Sequence, residues 1–598
     1  MSQNATALVP IKMSKTPFEW MNLPMTRTTL TASVIALGCI ASLAGMAPNA
    51  ASASVTATVG DPAHPDQLAP AIESAYQSGA RRIVIRPGYY LLPNVGHTAI
   101  TLKGWNDATL SAAGVTLILT DLAWMHDCID LENCTNVTVN GALLSQNTVT
   151  SYQGRVIAIG KDTDGKPYCD WRPDTGYPTP PNVEKGFLGG DVNVVDSHTR
   201  LLKVGCGDFY GVKDEPLPDG TFRAHMGGNI AVGDWFVGRY GNAPFKVYVN
   251  NSHNCTIKNV TMMRNGFAPL REDNGGGNHY LHCVWALGPR PGGAHEAAIV
   301  TNAADGMHMT GSSPGPDIED CQFQGVFLDD CIAIHGGFQT VKSVSGNSLT
   351  LIGGVGGVKS GQTVRISDQK GYFAEPMVTA VKDNGDNTTT VTLDRDYSVP
   401  IGSKLSNPLA DGAGYKIIHC HLGCTRSRGI LAKADNGLIQ GNVLENCGMS
   451  AVSLGPEYYW GEADYVHNVT VDDNIIRNDG GASYGGAAIL IHGDGAVGNK
   501  NIVIRRNKMS NNFQGDMDIQ WVNGVTITNN LLTAPQSLLP GAKTYPAIQL
   551  ANCINIDLKS NTVYNALGYS KPFIAVGANV TAVTHNDSSG VRTGAKAP

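Results

Sequence analysis

The chain has 598 residues, of which only 16% are charged and 70 are glycine, and its formal net charge is −7. So small a charge over that length excludes nucleic acid as the main partner. It also makes a strongly acidic polymer a poor match unless a local basic site overrides it. Abundant Gly, Asn, Thr and Val with few charges favour many short strands and turns over helices.

In chain order, residues 25–53 read as an export signal. Arg27 supplies the positive start, Leu30 to Met46 is nearly uncharged and apolar, and Ala51-Ser52-Ala53 fits the small-x-small cleavage rule near Ala53. The apolar run is short and broken by Thr, Ser and Gly, which disfavours a membrane span. Residues 1–24 read as an upstream extension with Met25 as an alternative start. The mature chain is therefore expected to be secreted or periplasmic, with no membrane span.

Residues 54–150 are expected to hold an N-terminal cap and the first coils of a repeat. Leu68, Ile72 and Ala75 share one helical face and Gly79 is placed to stop that helix, which suits a cap over a solenoid. The repeat is clearest near the C-terminus, in an apolar-x-apolar-x-x-Asn-apolar frame. Its Asn slots are Asn442, Asn474, Asn507, Asn530 and Asn561, separated by 32, 33, 23 and 31 residues. The alternation makes short strands with inward apolar side chains. Asn after each strand suits a bend, since it tolerates the left-handed region and its amide can bond the amide one coil along. The period fits a right-handed parallel β-helix, an all-β fold, better than a sandwich, whose turns come every 8–12 residues or so.

Two stretches break the period. Residues 151–244 and 338–418 are dense in short strands and Gly/Asp turns, and each is expected to be a small inserted β-domain, the second barrel-like. Between and after them lie central coils at 245–337 and C-terminal coils at 419–565, with a cap and tail at 566–598. Five cysteines follow Asn or Asp directly: Cys134, Cys255, Cys321, Cys447 and Cys553. They are expected to fill one repeat position as small hydrophobes rather than to form disulfides. Cys420-His421-x-x-Cys424 has no second ligand pair at zinc-finger spacing, so no metal is expected there.

The chemistry is concentrated between Thr301 and Gly337. Asp305 lies 24 and 25 residues before Asp329 and Asp330, about one coil of the repeat. Strands one coil apart are about 4.8 Å apart, so these carboxylates can converge. Clustered carboxylates suit glycosidic cleavage: one stays protonated to serve the leaving oxygen while others activate water. Repulsion among them raises one pKa and helps to assign the acid. An Asp-Asp pair inside a regular strand would point to opposite faces, so one of the two is structural unless the strand begins with a bend. Turn capping at a coil corner and calcium binding are the alternative uses of these side chains.

Asn302-x-x-Asp305-Gly306 followed by Asp329-Asp330-Cys331-Ile332-Ala333-Ile334 resembles the signature of β-helical glycoside hydrolases. The polygalacturonases of glycoside hydrolase family 28 carry Asn-Thr-Asp and Asp-Asp-Cys-Ile-Ala-Ile motifs. The longer match, NAADGMHMTGSSPGPDIEDCQF…DDCIAIHG, is more similar to the α-1,3-galactosidases of glycoside hydrolase family 110. That resemblance implies an exported, inverting, metal-independent enzyme built as a β-helix with β-barrel insertions and needing no cofactor. It implies Asp305, Asp329 and Asp330 as the catalytic carboxylates. His335-Gly336-Gly337 and Arg428 to Lys433 depart from the Gly-His-Gly and Arg-x-Lys motifs of family 28, which weakens pectin as the substrate.

Several further residues are candidates for binding an oligo- or polysaccharide. His308 and His335 lie close to the acidic motifs. Arg428 and Lys433 can hold a sugar hydroxyl or a uronate. GPEYYWGEADY clusters Glu457, Trp460 and Glu462 with two tyrosines, pairing aromatic faces for sugar C–H groups with carboxylates for hydroxyls. Arg271, Glu272 and Arg290 lie in loops flanking the same coils. The reading is an inverting glycosidase on an α-linked, galactose-type glycan, with Asp329 as acid and Asp305 and Asp330 as base, or the reverse; the sequence does not fix which Asp is the acid. A β-helical lyase using Arg428 or Lys433 as base, and a glycan-binding surface solenoid without turnover, are the rivals.

Overall fold

The computed structural model describes residues 55–92, 98–120, 127–180, 192–209, 211–212, 214–240, 245–354, 356–533, 545–564 and 573–585. The expected export signal and upstream extension lie outside these residues. Among the described residues no helix is long and apolar enough to cross a membrane.

The fold is a parallel β-helix, as the repeat predicts. Each coil contributes short strands to three faces. The first face runs from Ile100–Lys103 through Met307–Thr310, Ile332–Gly337 and Ile430–Ala432 to Ile574–Val576, every neighbour along it pairing in parallel. The other two faces join at their bends into one long sheet. The frame read from the sequence forms one inward column, because alternation sends every second side chain into the bore. Ile318, Ile417, Ile439, Val471, Ile504, Ile527 and Leu558 stack there in register. All seven are buried, and burying an aliphatic side chain of this size stabilises by about 1.5–3 kcal/mol.

The Asn slots form a ladder. Asn442 donates its amide to Asn474 Oδ1, Asn474 to Asn507, Asn507 to Asn530 and Asn530 to Asn561, each through both backbone and side-chain N–H at 2.9–3.0 Å. The left-handed residue of the bend, however, is the one before the slot: Gly441, Asp473, Arg506, Asn529 and Ser560 have φ of 52–66°. The slot residue itself is committed to the ladder, so the preceding residue makes the turn. Cys420 enters the same column, its N–H donating to Asn442 Oδ1 at 2.8 Å.

All twelve cysteines beyond the expected signal are free, and eleven of them are buried. The five that follow Asn or Asp do not share one position. Cys134, Cys255 and Cys553 lie between the first and second faces, Cys321 between the second and third, and Cys447 after the third. Each of the five is buried at a bend, so similar local sequences occur at three different corners. Cys420 points into the core while His421 faces outward to Glu445 Oε1 at 2.8 Å.

The helix Leu68–Gln77 covers the first coil with Leu68 and Ile72 buried, and Gly79 follows it at φ +94°. Six antiparallel strands from Ser151–Lys161 to Trp235–Arg239 form the first insertion, with Tyr152, Trp171 and Phe236 stacked in its own core. Seven antiparallel strands from Gln339–Ser345 to Lys404–Ser406 form the second. The coil resumes at Lys416–Ile418, inside the stretch assigned to that insertion, because Ile417 belongs to the inward column. Coil strands also continue through Ile574–Val576 and Thr581–His585, where a cap and tail were expected. Val583 falls opposite Ile556 there, in the neighbouring row that runs through Val525.

Candidate active site

Register builds the site. Met307 pairs with Ile332 and Ile332 with Ile430, so Asp305, Asp330 and Arg428 occupy one column, each two residues before its strand. The Gly306 N–H donates to the Asp330 carbonyl at 2.8 Å, and the Asp330 N–H donates to Asp305 Oδ1 at 3.1 Å. Asp329 and Asp330 precede the strand that begins at Ile332, so the alternation of a regular strand does not separate them. One oxygen from each of Asp305, Asp329 and Asp330 lies within 4.8 Å of the other two. Their exposure differs: the side chain is 31% exposed at Asp329, 12% at Asp305 and 5% at Asp330.

The two sheltered carboxyls are driven toward the protonated form. Burial, then the Asp329 charge, push Asp305 well above the carboxylate range. Burial also pushes Asp330 up to about 7, against the pull of Arg428. Burial lowers both His308 and His335 to about 4, so both are neutral at pH 7.

Hydrogen bonding assigns the proton on Asp305. His335 Nδ1 lies 2.7 Å from the Gly336 carbonyl, which only accepts, so Nδ1 carries the hydrogen. The bare Nε2 of neutral His335 lies 3.0 Å from His308 Nε2, which must then donate. That leaves His308 Nδ1 bare, 2.7 Å from Asp305 Oδ2. Asp305 is therefore the donor, a carboxylic acid. A divalent cation shared by the three carboxyls would need them ionised, and the histidine chain works against that.

A second network closes round the other side. Arg428 donates its backbone N–H to Asp330 Oδ1 at 2.7 Å and places Nη1 at 3.3 Å from Oδ2. Its Nη2 pairs with Glu457. Lys433, whose side chain is 0% exposed, binds Glu457 Oε2 at 2.7 Å and also pairs with Glu462. Burial opposes the charge on Glu462, yet Lys433 and the histidines hold it down at about 2. Glu462 Oε1 lies 3.9 Å from His335 Nε2. Glu457 and Glu462 flank a turn whose return strand, Glu462–Ala463, pairs antiparallel with Gly336 and Gly337. The turn presents Tyr459 at 87% exposure and Trp460 at 63%, ring against ring at 4.8 Å.

The remaining expected residues divide. Arg271 lies beside His308 in register and donates to Asp273 Oδ2 at 2.8 Å. Glu272, the next residue, points into the bore: it is fully buried and accepts the Tyr280 hydroxyl at 2.5 Å. It is not a substrate contact, because strand alternation turns it away from the outer face that carries Arg271 and His308. Arg290 is exposed and donates to the His295 carbonyl of its own loop at 3.2 Å. Two residues that sequence reasoning missed touch the site. Arg426 Nη2 lies 3.3 Å from Asp329 Oδ1 and its Nη1 contacts both oxygens of Asp208 at 2.7 and 2.8 Å. Asp208 is 218 residues away in the first insertion, so no local pattern signals it.

No protein-family model matches the chain, and no curated protein matches it in sequence. Among solved structures it is similar to the catalytic domain of a GH87 α-1,3-glucanase in complex with tetrasaccharides, with TM-score 0.43 and 11% identity, covering 91% of this chain and 70% of that one. It is also similar to the Yersinia enterocolitica family 28 exopolygalacturonase, with TM-score 0.36 and 12% identity over 88% of this chain and 74% of that one. A mannuronan C-5 epimerase A-module from Azotobacter vinelandii gives TM-score 0.33 and 12% identity, covering 86% and 93%. Likeness of this degree carries no activity across.

Proposed function

We propose that the chain is an exported inverting glycoside hydrolase that cleaves a neutral, α-linked glycan of galactose type. The observation that carries this reading is the cluster of three carboxyls in three different states. Asp305 is held as an acid by the histidine chain, Asp330 titrates near 7 beside Arg428, and Asp329 faces outward. Asp329 donates its proton to the glycosidic oxygen as the C–O bond breaks. Asp330 takes a proton from the attacking water, which Asp305 helps to hold, and water oxygen becomes the new anomeric hydroxyl.

A neutral substrate is supported by the commitment of the basic groups. Arg428 is held by Asp330 and Glu457, and Lys433 is buried between two glutamates. Neither is left to bind a uronate carboxylate or to act as the base of a lyase. The exposed Tyr459 and Trp460 offer faces for sugar C–H groups. Galactose and the α-linkage rest on the sequence resemblance.

Acid and base in inverting enzymes commonly stand about 6.5–9.5 Å apart, and these oxygens are closer, within 4.8 Å. Both oxygens of Asp305 and of Asp330 are tied by protein hydrogen bonds, which suits holding water better than attacking carbon. The test is turnover of α-galactosides by wild type and by D305N, D329N and D330N. Folded variants with turnover reduced by about a thousandfold or more are expected; wild-type rates in all three would overturn the proposal.

A further inference from the structure

The first insertion does more than stand beside the coils. Its segment 203–209 crosses to a loop of the C-terminal coils, where the Gly205 N–H donates to the Gly481 carbonyl at 2.7 Å and the Ser483 N–H to the Cys206 carbonyl at 2.9 Å. At the end of this segment Asp208 meets Arg426 through both carboxylate oxygens. Arg426 is itself 5% exposed and fixed on the coil, its Nε donating to the Leu328 carbonyl at 2.8 Å. Its remaining nitrogen is the one that touches Asp329. The Asp329 backbone is held as well, its carbonyl accepting the Thr425 hydroxyl.

We infer that Asp208 is a positioning residue for the cleavage step: by engaging the Arg426 guanidinium from the inserted domain, it holds that cation where it orients the Asp329 carboxyl and tempers its charge. The inference rests on the role proposed above for Asp329. A lone arginine beside a carboxyl favours the ionised form, by about one to three pH units. Both oxygens of Asp208 meet one nitrogen of Arg426, Nη1, and a charge-assisted contact of this kind shares the guanidinium charge. The other charged groups around Asp329 are Asp305 and Asp330 in the cluster and Arg428 from the next coil, which is already committed to Asp330 and Glu457. The Asp208–Arg426 pair thus links the insertion to Asp329, as Arg239 of the same insertion, bonded to the Ala303 carbonyl at 2.7 Å, links it to the Asp305 segment.

The inference is tested with the full chain by pH profiles of kcat/KM on an α-galactoside for wild type, D208N, D208E and R426Q. In D208N the alkaline limb, where the acid loses its proton, moves down by about one unit or more, and kcat falls while KM stays. D208E restores the limb, and R426Q moves it upward. A carboxyl-carbon NMR titration of residue 329 reads the same displacement without turnover, and so keeps the test alive if a variant is inactive. An unmoved limb and an unmoved titration in D208N, with D329N inactive, overturn the role of Asp208 and leave the hydrolase reading standing. Turnover by D329N at the wild-type rate overturns the hydrolase reading instead.

Discussion

Replacing Asn507 by alanine removes four buried hydrogen bonds at once. Its Oδ1 accepts the Asn474 backbone N–H at 3.0 Å and the Asn474 side-chain amide at 2.9 Å, while its Nδ2 donates to the Val471 carbonyl and to Asn530 Oδ1 at 3.0 Å. At about 0.5–1.5 kcal/mol net per bond, the loss is about 2–6 kcal/mol, and the stranded Asn474 N–H places it toward the upper end. The N507D variant keeps the shape and the accepting oxygen but turns an acceptor toward two acceptors. It is expected to be worse than alanine at pH 8 and to recover partly at pH 4. The sign follows from burial: the folded state raises the new carboxyl's pKa, so its cost is absent while it is protonated and grows as pH rises. Urea unfolding together with hydrogen exchange over residues 470–478 measures both effects, exchange being needed because solenoids need not unfold in one step. A loss below about 1 kcal/mol in N507A, with unchanged exchange at Asn474, would refute the ladder as a source of stability.

Other consequences concern the site. Because Asp330 sits near 7, a base that must be ionised gives kcat/KM an acidic limb close to pH 7, rising as pH increases. R428M removes the cation that lowers Asp330, so the limb is expected to move to higher pH; a limb that stays or falls contradicts the pairing. K433M removes the buried cation shared by Glu457 and Glu462, leaving Glu457 only Arg428, and breaking such a pair costs about 3–5 kcal/mol. Thermal unfolding should show that loss, and K433M/E457Q/E462Q should regain part of it. The double variant Y459A/W460A is expected to raise KM several-fold on oligosaccharides with kcat retained, because the exposed pair offers ring faces for binding and no group for proton transfer; steady-state kinetics decides this.

Much of this molecule is legible in its sequence. Strict alternation ahead of Asn442, Asn474, Asn507, Asn530 and Asn561 reported a bore with one apolar column and one amide column, and both are there. The interval between Asp305 and the Asp329/Asp330 pair then had a geometric meaning, because one coil of a parallel helix returns the chain beside itself. The details lost were those that depend on a single residue's rotation. Glu272 and Arg271 are adjacent, yet one enters the bore and the other faces the cleft, and a loop reading treated both alike. The left-handed residue of each bend was placed one position late, since the ladder claims the slot and the turn falls on its neighbour. Arg426 and Asp208 were invisible for a different reason. Their contact joins an insertion to a coil across a long sequence separation, and nothing periodic marks either residue.

The most direct test of the proposed chemistry is proton NMR of the anomeric region during hydrolysis of a neutral α-galactoside. The β-anomer should appear first, before mutarotation, with D329N forming none of it at a measurable rate. First appearance of the α-anomer, or hydrolysis that persists in D329N, would contradict an inverting cleavage run by these three aspartates.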